Sequence, residues 1–137
     1  MIRCFHDSQN IEYRKPKGAV KTGEEVNLCI KAETFDKDTN INFEGLSCTL
    51  HLWNDKEGGR LIPMEKTIEG DACLFRVSVI PGEETGLCWY YFIFEEGNDG
   101  QYRQKLYYGN NRERLGGEGE VYINEPPAFQ VTVYNEA

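Results

Sequence analysis

The amino-acid sequence predicts an all-β domain in which antiparallel sheets pack face to face as a sandwich. Three observations support this. Apolar and polar residues alternate with period two in several short stretches, turn residues separate these stretches, and no long stretch has the 3.6-residue period of an amphipathic helix. The length of 137 residues suits one domain and is too short to add a catalytic barrel of about 250 residues. We therefore expect residues 1–137 to form a single domain.

Four stretches show the alternation clearly, and each has one apolar face. The apolar sets are Val26, Leu28, Ile30 and Ala32; Leu46, Cys48, Leu50 and Leu52; Cys73, Phe75, Val77 and Val79; and Phe129, Val131 and Val133. The segment 61–66 contains Pro63, which cannot donate a ladder hydrogen bond, and is predicted as one edge strand. The turn sequence Asn98-Asp99-Gly100 is typical of a hairpin that leads into a strand over 102–108. In all, we expect about seven to eight strands in an antiparallel immunoglobulin-like β-sandwich.

The strand 87–94 is apolar or aromatic on both faces. A strand in a simple sandwich has one face on the core and one in water, so both faces of this strand need a cover. The glycine-rich segment 109–120 is predicted to be a loop. We expect strand and loop to lie near a surface that meets another domain, with Tyr90, Phe92, Gly116 and Gly117 as candidate docking residues. The alternative is an internal cover of the second face by the N-terminal segment, the glycine-rich loop or the connection after Ala32.

Charge and hydropathy exclude two classes of partner. The formal net charge is −8, with 23 acidic against 15 basic residues, so a nucleic-acid partner is not expected. No apolar run approaches the roughly 20 residues of a membrane helix, so no membrane partner is expected. The five cysteines stand singly, which favours free thiols and a reducing, cytoplasmic location. A Cys29–Cys88 disulfide is disfavoured because Cys29 falls on the polar face of its strand.

The sequence offers no convincing catalytic or metal-binding constellation. His6-Asp7-Ser8 has the residue types of a hydrolase triad, but a triad is assembled from distant segments. Asp36, Asp38 and Asn40 match the opening of a calcium loop, yet Ile41 stands where that loop requires Gly and Ser47 where it requires Glu. We expect a solvated acidic loop there, no cofactor and no catalytic residue.

Aromatic side chains are the strongest remaining signal. Trp53 falls on the polar face of its strand together with Thr49 and His51, which makes it the first candidate for stacking on a sugar. Tyr107 and Tyr108 are the next candidates. Core packing is the competing interpretation for Tyr107 and Tyr108, whereas the strand parity of Trp53 places its ring outside the core.

Several motifs resemble a known family. They are Phe5-His6-Asp7-Ser8, Tyr13-Arg14, Gly18-Ala19-Val20, Gly86 to Phe92, Tyr107-Tyr108-Gly109-Asn110, Leu115 to Gly119 and Phe129 to Tyr134. In order and spacing they resemble the N-terminal domains of bacterial α-amylase-family glycosidases, the neopullulanase, cyclomaltodextrinase and amylopullulanase group. The resemblance implies a β-sandwich that packs on a catalytic (β/α)₈ barrel, which would follow residues 134–137. In some members this domain helps to form a homodimer or contacts α-glucan oligosaccharides. The family's catalytic carboxylates belong to the barrel.

Three functions follow, in this order of preference: an accessory domain that docks on a catalytic barrel, an independent starch-binding module, and a small free-standing enzyme. The first predicts an exposed apolar patch, the second a platform of rings with polar neighbours, and the third a cleft with perturbed acids.

Overall fold

Strands make up most of the chain. The computed structural model describes residues 2–34, 43–97 and 104–135. In chain order the strands are β1 (Ile2–Phe5), β2 (Arg14–Lys15), β3 (Val20–Lys21), β4 (Val26–Thr34), β5 (Leu46–Asn54), β6 (Arg60–Pro63), β7 (Glu65–Glu69), β8 (Ala72–Val79), β9 (Gly86–Glu96), β10 (Gln104–Gly109), β11 (Glu120–Tyr122) and β12 (Phe129–Tyr134). One turn of 3₁₀ helix, Phe43–Gly45, precedes β5. The all-β prediction is confirmed.

The smaller sheet has five strands. It runs β1-β4-β8-β7, with antiparallel neighbours. β2 also pairs with β4, at residues 27–28, whereas β1 pairs with residues 31–34 of the same strand. Because β8 occupies the other edge of β4, β1 and β2 follow one another along a single edge.

The larger sheet is organised around the long strand β9. β5 pairs with residues 88–96 along one edge of β9, while β12 and β10 share the other edge, at residues 86–90 and 92–96. β6, β11 and β3 extend the sheet beyond β5, β10 and β12. β12 and β3 run parallel, so the expectation of a purely antiparallel sandwich needs this correction.

The core lies between the two sheets and consists of the apolar faces predicted from the alternation. Val77 is half-buried at its margin, and the other members of the four sets are buried. From β9 it receives Cys88, Tyr90, Phe92 and Phe94, each at most 1% exposed. The smaller sheet therefore covers one of the two apolar faces of β9.

The segment predicted as one edge strand is in fact two. β6 belongs to the larger sheet and β7 to the smaller one, and the chain crosses between the sheets at Met64. Pro63 ends β6 because it has no N–H for the ladder, and the buried Met64 side chain anchors the crossing in the core. The described residues form twelve strands instead of seven to eight, since the short strands β1, β2, β3 and β11 leave no periodic signal and the segment 61–66 is divided between two strands. The predicted turn 98–100 and acidic loop at 36–40 lie outside the described residues.

All five cysteines are free and buried. Cys29 points away from the core on the smaller sheet, as its parity predicted, but the segment that contains Tyr13 covers it, and its N–H donates to the Tyr13 carbonyl at 2.8 Å. Cys88 points into the core from the larger sheet. The smaller sheet thus separates the two thiols, and the prediction that they do not pair is confirmed.

Candidate functional site

The outer face of the larger sheet carries a row of rings. The β5–β9 register places His51 opposite Tyr91 and Trp53 opposite Trp89, and directly opposed residues share a face. Ring centroids are 4.8 Å apart for His51 and Trp53, 5.5 Å for Trp53 and Tyr91, and 6.3 Å for Trp53 and Trp89. Tyr107 of β10 continues the row at 6.0 Å from Tyr91. We call these five residues the aromatic strip.

The strip combines ring surface with polar groups. Tyr91 is buried at its centre, and the other four rings are half-buried. Burial, with the negative charge of the Glu125 carboxylate as the second cause, raises the pKa of Tyr91 to about 12. Burial also lowers the pKa of His51, while the charge of Glu125 partly opposes that shift. The strip therefore offers partly exposed rings beside a carboxylate, an arrangement that can stack on sugar faces and accept hydroxyl hydrogen bonds.

Two sequence-based sugar candidates, Trp53 and Tyr107, lie in this strip, whereas Tyr108 does not. Its ring is 1% exposed and packs against Phe92 and Phe129 in the core. The assignment of Tyr108 as a sugar contact is thus corrected, because the ring has no free face. Trp89 was not among the sugar candidates chosen from the sequence, although its position on the second apolar face of β9 could have indicated it.

The glycine-rich loop is tied together by two asparagines. The Asn110 Oδ1 accepts from the Gly116 N–H at 3.1 Å. Asn111 Nδ2 donates to the Gly116 carbonyl at 2.8 Å, and Asn111 Oδ1 accepts from the Leu115 N–H at 3.0 Å. Gly116 and Gly117 have φ values of 77° and 82°, in the left-handed region that favours glycine. These hydrogen bonds give the loop a defined conformation and fix the position of Leu115.

Large apolar side chains are exposed on and beside this loop. Leu115 and Ile123 are each 78% exposed, and Val121 is 44% exposed. We call Leu115, Val121 and Ile123 the loop patch. Isolated exposed apolar residues are common, but three within nine positions make this segment the candidate contact surface.

The docking candidates on β9 require a correction. Tyr90 and Phe92 are fully buried between the sheets, so neither side chain can contact another domain. This assignment was wrong because β9 is apolar on both faces, and the sequence did not show which face is directed toward the core. Gly116 and Gly117, in contrast, lie in the loop that carries Leu115.

His6 is an internal anchor. Its ring is fully buried, and its Nδ1–H donates to the Cys29 carbonyl at 2.7 Å. Nε2 accepts from the Tyr90 hydroxyl at 2.9 Å. Burial lowers the pKa of His6 to about 3, so the ring is neutral at pH 7. The Ser8 hydroxyl accepts from the Gly117 N–H, and these contacts account for the polar atoms of both side chains without any catalytic relay.

Residues 2–34, 43–97 and 104–135 contain no group of three or more His, Cys, Asp or Glu placed to hold a metal ion. Within the same ranges, no helix has the length and apolar character needed to cross a membrane.

Comparison with known proteins gives a consistent match. No protein-family model matches the sequence. The chain is 32% identical over 135 residues to an amylopullulanase of Thermoanaerobacter thermohydrosulfuricus, and 30% identical to those of Thermoanaerobacterium saccharolyticum and Thermoanaerobacterium thermosulfurigenes. Each match covers 96% of this chain but only 6 to 10% of the relative. The chain is thus related, over nearly its whole length, to one domain-sized segment of the amylopullulanases, which confirms the resemblance seen in its motifs.

Proposed function

We propose that this chain is a non-catalytic accessory domain of a glycoside hydrolase that acts on α-glucans, placed N-terminal to the catalytic barrel and packed on it. One observation carries the proposal: the match spans 96% of this chain and at most 10% of the amylopullulanases. The remaining nine-tenths of those enzymes leave ample room for a barrel of about 250 residues. The five buried free thiols suit a reducing compartment, so we place the protein in the cytoplasm.

The loop patch is the proposed docking surface. Leu115 and Ile123 each leave 78% of their surface in water, and burial of such a side chain contributes about 1.5 to 3 kcal/mol. The partner is the catalytic domain of the same enzyme, because the relatives carry about ten times more chain than this segment. Gly116 and Gly117 serve by shaping the loop behind Leu115.

Docking is tested by measuring the affinity of this chain for the separately expressed remainder of its parent enzyme. The double substitution Leu115→Ser and Ile123→Ser should weaken the affinity at least about tenfold, since two apolar anchors are lost. Ile68→Ser is the matched control, because Ile68 is 50% exposed on β7, at the edge of the smaller sheet.

Two results would contradict this surface. One is an unchanged affinity of the double variant, and the other is an equal loss in the Ile68 control. Sedimentation of the isolated chain over a concentration series shows whether the loop patch instead pairs two copies as a homodimer, the other arrangement implied by the resemblance.

A second candidate function is α-glucan binding by the aromatic strip. The observation that favours it is the continuous row from Trp89 through Trp53 and Tyr91 to Tyr107, with Glu125 beside it. Stacking on a shallow platform buries little area, so we expect a dissociation constant of roughly millimolar to high micromolar.

Titration with maltoheptaose tests this second function. Trp53→Ala should abolish binding, because Trp53 contacts three other rings of the strip. Tyr134→Ala is the control, since Tyr134 is an exposed ring on β12 outside the strip. Binding that survives Trp53→Ala would place the sugar elsewhere or remove this function.

A further inference from the structure

The N-terminal segment 6–8 lies directly against the glycine-rich loop. The Ser8 N–H donates to the Gly117 carbonyl at 3.0 Å, and the Gly117 N–H donates to the Ser8 hydroxyl at 2.9 Å. The Gly119 N–H donates to the His6 carbonyl at 3.1 Å, and Asp7 forms an antiparallel bridge with Glu118. These contacts make a short ladder between segments more than one hundred positions apart.

The Tyr108 hydroxyl sits at the centre of this ladder. It accepts from the N–H groups of His6, at 3.0 Å, and Gly119, at 3.1 Å. It donates to the His6 carbonyl at 2.9 Å. A hydroxyl has one donor and two acceptor sites, so all three are used. Tyr108 is itself 1% exposed, so this node is held by the packed core.

The segment is in turn fixed to both sheets. The buried His6 ring is bonded to the carbonyl of Cys29 on β4 and to the hydroxyl of Tyr90 on β9. Sliding of the segment would break both bonds and leave buried polar atoms unpaired, which is costly. Residues 6–8 therefore hold the loop in a fixed position relative to the core.

We propose that the N-terminal segment is a strap that holds the loop patch in the arrangement needed for docking, with the Tyr108 hydroxyl as its fastening point. The strap acts on Gly117 and Gly119, which follow Leu115 in the same loop. Fixing the loop before binding lowers the entropy lost on docking. The proposal rests on the docking function above and makes Tyr108 and Ser8 positioning residues that do not touch the partner.

Hydrogen exchange of the 137-residue chain tests the strap without a partner. Tyr108→Phe should speed the exchange of peptides over 115–120 by about tenfold or more, because the His6 N–H loses its acceptor and the Gly119 N–H keeps only the carbonyl of the loosened His6. Ser8→Ala removes the acceptor of Gly117 alone and should give a smaller increase in the same peptides. If Tyr108→Phe does not fold, Ser8→Ala still decides the outcome. Tyr107→Phe is the matched control, since the neighbouring ring lies on the opposite face of β10 and makes none of these bonds.

Docking affinity, measured on the same variants with the remainder of the parent enzyme, completes the test. Faster exchange together with weaker docking supports the strap. Unchanged exchange in both variants, or faster exchange with undiminished docking, overturns it. If the double substitution at Leu115 and Ile123 leaves the docking affinity unchanged, the docking surface itself is wrong. This result distinguishes failure of the docking surface from failure of the strap.

Discussion

At the scale of single residues, His6 is a fully buried polar group with both ring nitrogens paired. Its two ring nitrogens are both paired within the core, one with a carbonyl and one with a hydroxyl. A protonated ring would have to donate from Nε2, toward a tyrosine hydroxyl that now donates to it. Protonation therefore opposes the native arrangement, in agreement with the pKa lowered to about 3 by burial.

This arrangement predicts a loss of stability in weak acid. The His6 pKa is lower in the folded state than its usual value near 6.5, so below about pH 6.5 the unfolded chain binds more protons. The free energy of unfolding should fall by up to about 1.4 kcal/mol per pH unit between pH 6.5 and 5 from this residue. The contribution of His6 is fully present above pH 6.5 and is lost as the pH falls toward 3.

Urea unfolding at pH 7, 6 and 5 measures this slope. His6→Asn should be less stable than the original chain at pH 7 and should show a shallower pH dependence. His51→Gln is the control, because His51 lies in the half-exposed strip. An unchanged slope in His6→Asn would refute the assignment of the pH effect to His6.

At the scale of elements, β9 explains why a strand with two apolar faces is needed here. Its inward set fills the core, and its outward set supplies Trp89 and Tyr91 to the aromatic strip. β5 runs along one whole edge, and β10 and β12 divide the other. β9 therefore contributes side chains both to the core and to the aromatic strip.

The two faces of β9 should differ in their share of the stability. Phe92→Ala removes a fully buried ring and should lower the free energy of unfolding by about 3 to 5 kcal/mol. Ile93→Ala, one residue on and half-buried on the outer face, should lower it by less than about 2 kcal/mol. Urea denaturation of both variants provides the comparison, and equal losses would show that the assignment of the faces is wrong.

At the scale of the whole molecule, the chain is built as a scaffold that presents surfaces. One outer face carries the aromatic strip, and residues 115–123 carry the exposed side chains of the loop patch. The polar groups of His6, Ser8 and Tyr108 are used in internal hydrogen bonds. This organisation suits a domain that binds a catalytic domain or a substrate, while the rest of an enzyme supplies the chemistry.

We accordingly expect the purified chain to hydrolyse no α-glucan. The physical reason is that glycoside hydrolysis needs two carboxyl groups across a substrate cleft, and the segment matched in the amylopullulanases is at most a tenth of their length. Reducing-sugar release from maltooligosaccharides and from pullulan is the measurement. Activity that persists through repurification and disappears when a carboxylate of this chain is replaced would contradict the proposal.

Much of the fold and part of the site could be predicted because strand alternation is a local property. In β4, β5, β8 and β12 the residue spacing alone identified the core face, and the same rule placed Trp53 outside. The segment 61–66 could not be resolved in this way. Its division between two sheets depends on burial of the Met64 side chain in the core. Other strands form the part of the core that this side chain fills.

By itself, the sequence determined the all-β class, the inward faces of the main strands, the outward position of Trp53 and the similarity to a segment of the amylopullulanases. Only the tertiary structure decided between Tyr107 and Tyr108, because neighbours on a strand point to opposite faces and both are tyrosines. The register of β10 on β9 sets Tyr108 opposite Phe92 in the core and Tyr107 opposite Ile93 outside. The strap likewise depends on contacts between residues 6–8 and 117–119, which no local pattern encodes because packing of the whole sandwich brings them together.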